Sequence, residues 1–246
     1  MANWQDPQTT GVSAATVGVP RAARDAGLRS YMLSVYNYMA SGVLLTGIIA
    51  LLFAPYAGQV LISASGRGMS PLGWIVTLSP LAIVFAMSFG AARMRTATLQ
   101  LLFWAFAALM GLSMSTIFLV FTGASIAQTF FATAAAYLGL SLYGYTTKRD
   151  LSGLGTFLIM GVVGILVAML VNLFLQSTAM ALMISVIGVL LFAGLTAYDT
   201  QRIKSMYFYV QGTEMAGKTV IMGALTLYLD FINMFQFLLS FMGDRR

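Results

Sequence analysis

For 48 consecutive residues, from Leu151 to Tyr198, the chain carries no charged side chain. A bilayer-spanning helix needs roughly 20 predominantly apolar residues, so a run of this length holds two spans and leaves little choice of solvent. Comparable uncharged runs occupy Ser30–Gly66, Gly68–Ala92 and Thr96–Thr147, and Thr219–Gly243 is broken only by Asp230. With 59% hydrophobic and 8% charged residues, and a mean hydropathy of +0.87, the chain has far more apolar surface than a soluble core can hide. Alternation of apolar and polar residues is absent, which argues against a membrane barrel. An all-α integral membrane protein is expected.

Breaking these runs at their Gly, Ser, Thr and Pro clusters predicts seven transmembrane helices, at about 31–54, 72–91, 99–121, 125–145, 154–175, 179–203 and 218–241. The connections "FTGAS" and "LQSTA" are short and make their flanking helices antiparallel neighbours. Residues 1–28 lack the continuous apolar core of a secretory signal and read as a flexible cytoplasmic tail before one seven-helix domain, 29–246. Lys and Arg accumulate in cytoplasmic loops. With the N-terminus inside, Arg21, Arg24, Arg29, Arg93, Arg95, Lys148, Arg149, Arg202, Lys204 and Lys218 fall on the cytoplasmic side, against Arg67, Arg245 and Arg246 outside. The net charge of +6 follows from this topology and gives no reason to expect nucleic acid as a partner. The terminal "GDRR" lies outside if seven spans cross, or inside if the last segment dips in and returns.

The chain has no cysteine and no histidine, which removes disulfides, thiolate and imidazole metal sites, and Cys or His catalysis. Acid–base work falls to carboxylates, and no cofactor is expected. The 17 methionines have no acidic or His partners and read as flexible apolar filler. Gly161 and Gly164, Ala193 with Ala197, and the small residues of "FATAAAYLG" read as surfaces for close helix approach.

Of seven acids, Asp6, Asp25, Asp150, Glu214 and Asp244 fall in tails or connections, leaving Asp199 and Asp230. Asp230 lies well inside the last apolar run, where an ionisable group costs on the order of 2.5–3.5 kcal/mol to insert and so should face the bundle interior. Helical spacing puts Gly223, Thr226, Asp230 and Asn233 on one stripe, which places the last helix inside the bundle with the other six around it. Asp199 admits a local reading, an i, i+3 pair with Arg202 worth a few tenths of a kcal/mol. It also admits a longer-range one, because the sixth and seventh helices are antiparallel and each carries one Tyr-flanked Asp. Counted from Lys204 and Lys218, the two acids differ in depth by roughly 10 Å at ~1.5 Å rise per residue, so tilt or a lower helix start is required for them to meet.

Two carboxyl groups that meet cannot both ionise cheaply and would share a proton. They also offer hard oxygens to Ca²⁺, too few for a tight site but suited to weak, transient binding. Arg93, at the cytoplasmic end of the second span in "SFGAARMR", is either a positive-inside anchor or a partner for the acids.

"GLTAYDTQRIK", "LYGYTTKRDLSGLG" and "GALTLYLDFINMF" closely resemble the Bax inhibitor-1 family, specifically its bacterial inner-membrane members, over most of the chain from Arg29 onward. The resemblance implies a seven-helix bundle with the seventh helix central, and a pH-sensitive calcium leak. It further implies that Asp199 and Asp230 form the pH sensor and latch the pore. A basic residue ending the second helix would bond that pair: Arg93 by position, with Arg95 the alternative. Thr226, Asn233 and Arg202 are supporting polar positions. The expected surroundings are a bacterial inner membrane, with calcium and protons as traffic and no catalysis.

Three other readings use the same two acids. A calcium/proton antiporter differs only in obligatory exchange. Presenilin-type intramembrane aspartyl proteases also place one Asp on each of two successive helices, but they use a Gly-x-Gly-Asp and a Pro-Ala-Leu element, where this chain has "LYLDF" and neither motif. A non-transporting scaffold would tolerate loss of either acid without a change in flux.

Overall fold

The structure, a computed structural model, describes residues 21–63 and 68–246. The predicted tail over 1–20 and the outward-assigned Arg67 lie outside the described residues. The chain is helical nearly throughout: α1 (Arg21–Leu61), α2 (Pro71–Gly90), α3 (Thr96–Met114), α4 (Ile117–Val120), α5 (Gly123–Thr146), α6 (Ser152–Leu175), α7 (Thr178–Val210) and α8 (Met215–Met242). Counting α3 with α4 as one, seven helices are long and apolar enough to cross a membrane, as expected. The predicted sixth and seventh helices are therefore α7 and α8.

Local chemistry sets the ends. Ser70, Thr122 and Ser177 cap α2, α5 and α7, each side-chain oxygen accepting from a backbone N–H three residues on. Pro71 occupies the first turn of α2, where its missing N–H costs nothing. Residues 21–28 correct the tail reading: they belong to α1. "RAARDAGL" is rich in good helix formers, and the helix runs through it into the first span. The predicted 99–121 helix is interrupted, because Ser115 Oγ and Thr116 Oγ1 donate to the carbonyls of Leu112 and Ser113 and offer the backbone an alternative to the helical ladder. α7 continues to Val210, seven residues past its predicted end, and stops just before Gly212, whose φ of 75° ends the run.

α8 is the core of the bundle: 61% of its apolar window is buried, against at most 33% for any other span. It packs against α7, α1, α5 and α3, while α2 lies on α3 and α1, and α6 on α7. The seventh span is thus central, touched by four of its companions with the other two one layer out. A buried polar tie fixes this arrangement, since Thr46 Oγ1 lies 2.8 Å from the carbonyl of Ala107 and 2.6 Å from Tyr228 Oη. Of the small residues read as packing surfaces, Gly161 does face Leu191, whereas Gly164 is exposed on the outside of the bundle and a Cβ there would meet no atom of the described residues.

Most of the basic side chains gather at one end. There Lys218 Nζ donates to the carbonyl of Ala92, Lys204 Nζ donates to that of Tyr145, and Tyr31 meets Tyr207 at 5.4 Å between ring centroids. The C-terminus is at the opposite end. Thr122 N donates to Asp244 O, Arg246 N to Val120 O, and Asp244 N to Ser125 Oγ. Of the two placements left open for "GDRR", the structure has the through-crossing one.

Candidate functional site

Asp199 and Asp230 lie at the packed face between α7 and α8, with exposures of 7% and 4%. Their carboxyl groups are within hydrogen-bonding range of each other. The depth mismatch expected from the sequence shrinks because neither helix ends where the lysines stand. Asp199 lies 11 residues before the end of α7 at Val210, and Asp230 lies 15 after the start of α8 at Met215. At ~1.5 Å per residue the offset is about 6 Å, which side-chain reach and modest tilt absorb.

The rest of the site comes from α5 and α1. Tyr137 is buried, its hydroxyl 3.4 Å from the carbonyl of Leu227 and within reach of Ser141. The electrostatic neighbours of that hydroxyl are Asp230, Tyr36 and Asp199. Ser141 Oγ is in turn 3.2 Å from Thr200 Oγ1, next to Asp199 in sequence. These helices approach closely because Gly144 of α5 lies against the Ala197 carbonyl, where a Cβ would collide with backbone. Tyr36, Tyr137 and Ser141 also line a lateral groove of about 800 Å³ between α1 and α5, with Arg29 at its edge and Phe231 of α8 against it.

The site is poor in compensating charge. Arg202 acts on Asp199 electrostatically, but among the described residues no Lys or Arg comes within ion-pair distance of either acid. Arg93 and Arg95 are exposed in the α2–α3 turn, so the structure does not bring them to the pair. Asp230 Oδ2 is buried with no hydrogen-bond partner. Thr226 and Asn233 bond back to carbonyls four residues earlier, Met222 and Leu229. No third acid joins the two among the described residues, so what they offer a cation is a pair of carboxyl groups and no closed cage.

Two neutral or singly charged carboxyl groups sharing a proton are compatible with this burial, whereas two full charges at hydrogen-bonding range in a low-dielectric interior are not. The arrangement can therefore hold and release a proton, and its release sets two like charges against each other at the centre of the bundle.

The family model described as "Inhibitor of apoptosis-promoting Bax1" matches residues 28–246. The chain belongs to the Bax inhibitor-1 family. It is similar to a Rickettsia prowazekii protein, 46% identical over 223 residues that cover 90% of this chain and 92% of the relative. It is similar also to a Caulobacter vibrioides protein at 45% over 235 residues, covering 90% and 91%. The Escherichia coli inner membrane protein YbhL is 45% identical over 223 residues, covering 90% of this chain and 94% of YbhL.

In this Bax inhibitor-1 member the α5 contribution is what the sequence reading left out. Thr129, Thr133, Tyr137 and Ser141 recur every fourth residue and are all buried, a polar stripe on one helix face. Its signal was present in "TFFATAAAYLGLS", where the small residues between the polar ones suggested packing alone.

Proposed function

We propose that the chain is a pH-sensitive calcium leak of the bacterial inner membrane, gated by a proton shared between Asp199 and Asp230. The single observation that supports this reading is the meeting of two deeply buried carboxyl groups on the central helix and its neighbour, with no Lys or Arg of the described residues in ion-pair range. While the proton is shared, the pair holds α7 to α8. Its loss leaves two like charges in apolar surroundings and favours separation or hydration of the interface. In this reading the basic end of the bundle is cytoplasmic, as the clustering of Lys and Arg suggests, and so is the N-terminus. The arginine latch implied by the family resemblance would require the α2–α3 turn to bring Arg93 or Arg95 inward in another state.

No enzyme is proposed. An aspartyl protease must admit water and a peptide to its carboxyl groups, and here Tyr137 and the packed α5 face cover them. The test is calcium uptake into dye-loaded proteoliposomes across a pH series, for wild type, Asp199→Asn and Asp230→Asn. Wild type should conduct in a pH-dependent way and either substitution should flatten that dependence. Uptake that requires an opposing proton gradient would make the protein an antiporter, and absence of uptake at every pH would end the leak reading.

A further inference from the structure

Between α6, α7 and α8, in the half of the bundle away from the basic end, runs a second groove of about 580 Å³. Its lining is selective. From Phe157 to Leu175 α6 has a single nitrogen- or oxygen-bearing side chain, Asn172, and it lines the groove. α7 from Ala179 to Leu195 has one, Ser185, and α8 beyond Asp230 has three, Asn233, Gln236 and Ser240; all four line it too. Polar side chains at membrane depth face wet cavities or one another, and three helices converging every such group on one groove mark it as wet. Ser185 Oγ donates to Ser240 Oγ at 3.1 Å, which joins α7 to α8 at the outer part of the groove. The amide of Asn233 donates to Leu229 O, leaving its carbonyl oxygen for another partner only three residues, or ~4.5 Å of helical rise, from Asp230.

Two of the side chains lining the groove are aromatic rings set between its outer part and the aspartates. Phe192 and Phe237 stack at 5.8 Å between centroids with their planes 26° apart. Each is seven residues from the acid on its own helix, so the ring pair and the acid pair sit in register along the α7–α8 seam. The Phe237 ring rests on Gly188, where any Cβ would come within 2.6 Å of it. We propose that the α6–α7–α8 groove is the aqueous vestibule through which a hydrated divalent cation reaches the aspartate pair, and that the Phe192–Phe237 stack is the apolar barrier between its outer part and the aspartates. The identity of the traveller rests on the leak reading; the wet groove and the barrier do not. Neutral amide and hydroxyl oxygens bind a hydrated cation weakly enough to release it, and an apolar constriction excludes it by dewetting until the rings part.

The chain has no cysteine, so single cysteines can be placed without altering the background. In permeabilised proteoliposomes, a charged methanethiosulfonate reagent should modify Asn172→Cys readily, and the lipid-facing Leu170→Cys hardly at all. Asp230→Cys should react slowly, and adding Phe237→Ala should speed it by an order of magnitude or more as the barrier opens. Failure of Asn172→Cys to react faster than Leu170→Cys would overturn the wet groove, and an unchanged rate at Asp230→Cys would overturn the barrier. The unreactive Leu170→Cys in the Phe237→Ala background reports that the bundle is still folded. Because the reagent reads water and not calcium, these outcomes stand apart from the flux experiment. A protein that labels as expected but carries no calcium loses the leak and keeps the vestibule.

Discussion

Asp230 has Asp199 in hydrogen-bonding range of its carboxyl group and its second oxygen, Oδ2, without a hydrogen-bond partner, and that asymmetry decides how substitutions should behave. Asp230→Asn keeps the shape and gives Asp199 a permanent amide donor, so thermal unfolding in detergent should occur at the wild-type temperature or above. Asp230→Ala strands Asp199 in an apolar interior and should cost about 1–3 kcal/mol in the same measurement. Asp150, in the α5–α6 connection, is held below its ordinary carboxylate range by hydrogen bonding to Ser152, its Oδ1 accepting from Ser152 N at 2.9 Å. A depressed folded value means that its contribution is fully present above the ordinary carboxylate range and is lost as pH falls through the lowered one. Asp150→Asn should therefore lie below wild type at neutral pH and converge with it at acid pH, as read by unfolding temperature against pH. At this scale the two buried acids were legible in the sequence, because a charge in an uncharged run has no ordinary place to go. Tyr137 was not, because its importance lies in contacts with residues of other helices, which no local pattern records.

Helices show the same division. The seven apolar runs specify seven spans, yet their ends were misplaced wherever side-chain chemistry or a turn overrode hydropathy. The hydroxyls of Ser115 and Thr116 split α3 from α4, and the amphipathic "SMYFYV" carries α7 on to Val210. That last difference matters to function, since the extension of α7 reduces the depth offset between Asp199 and Asp230. Packing between elements depends on a few absent side chains. Gly144→Val would drive a branched side chain into the Ala197 carbonyl and pry α5 from α7, at a cost of about 1–3 kcal/mol if the helices repack. Gly164→Val, facing open space, should leave unfolding temperature unchanged. The same pair of variants separates the site from the scaffold: Gly144→Val should also alter the pH dependence of any flux, because α5 carries Tyr137.

For the molecule as a whole, an odd number of crossings puts the two ends of the bundle on opposite sides. Reporter fusions should therefore give opposite compartments at the start of α1 and after Arg246, and equal compartments would require a re-entrant last helix. Removing residues 243–246 deletes the bonds from Asp244 and Arg246 to the α4–α5 connection and should lower the unfolding temperature without abolishing insertion. The positive-inside pattern made one basic end visible in the sequence, and the polar stripe on α8 pointed to its central position. Which four spans would touch it could not be seen, because that depends on how side chains of different helices fit. The central position of α8 has a further consequence in time. The most buried span is the last of the seven to leave the ribosome, so the earlier six must wait in the bilayer around an unfilled middle. Asp230 and Phe237 arrive with that helix. On the proposed reading, sensor and gate are both incomplete until that helix inserts, and the permeability of a chain lacking it is set by how well lipid and neighbouring helices close the gap.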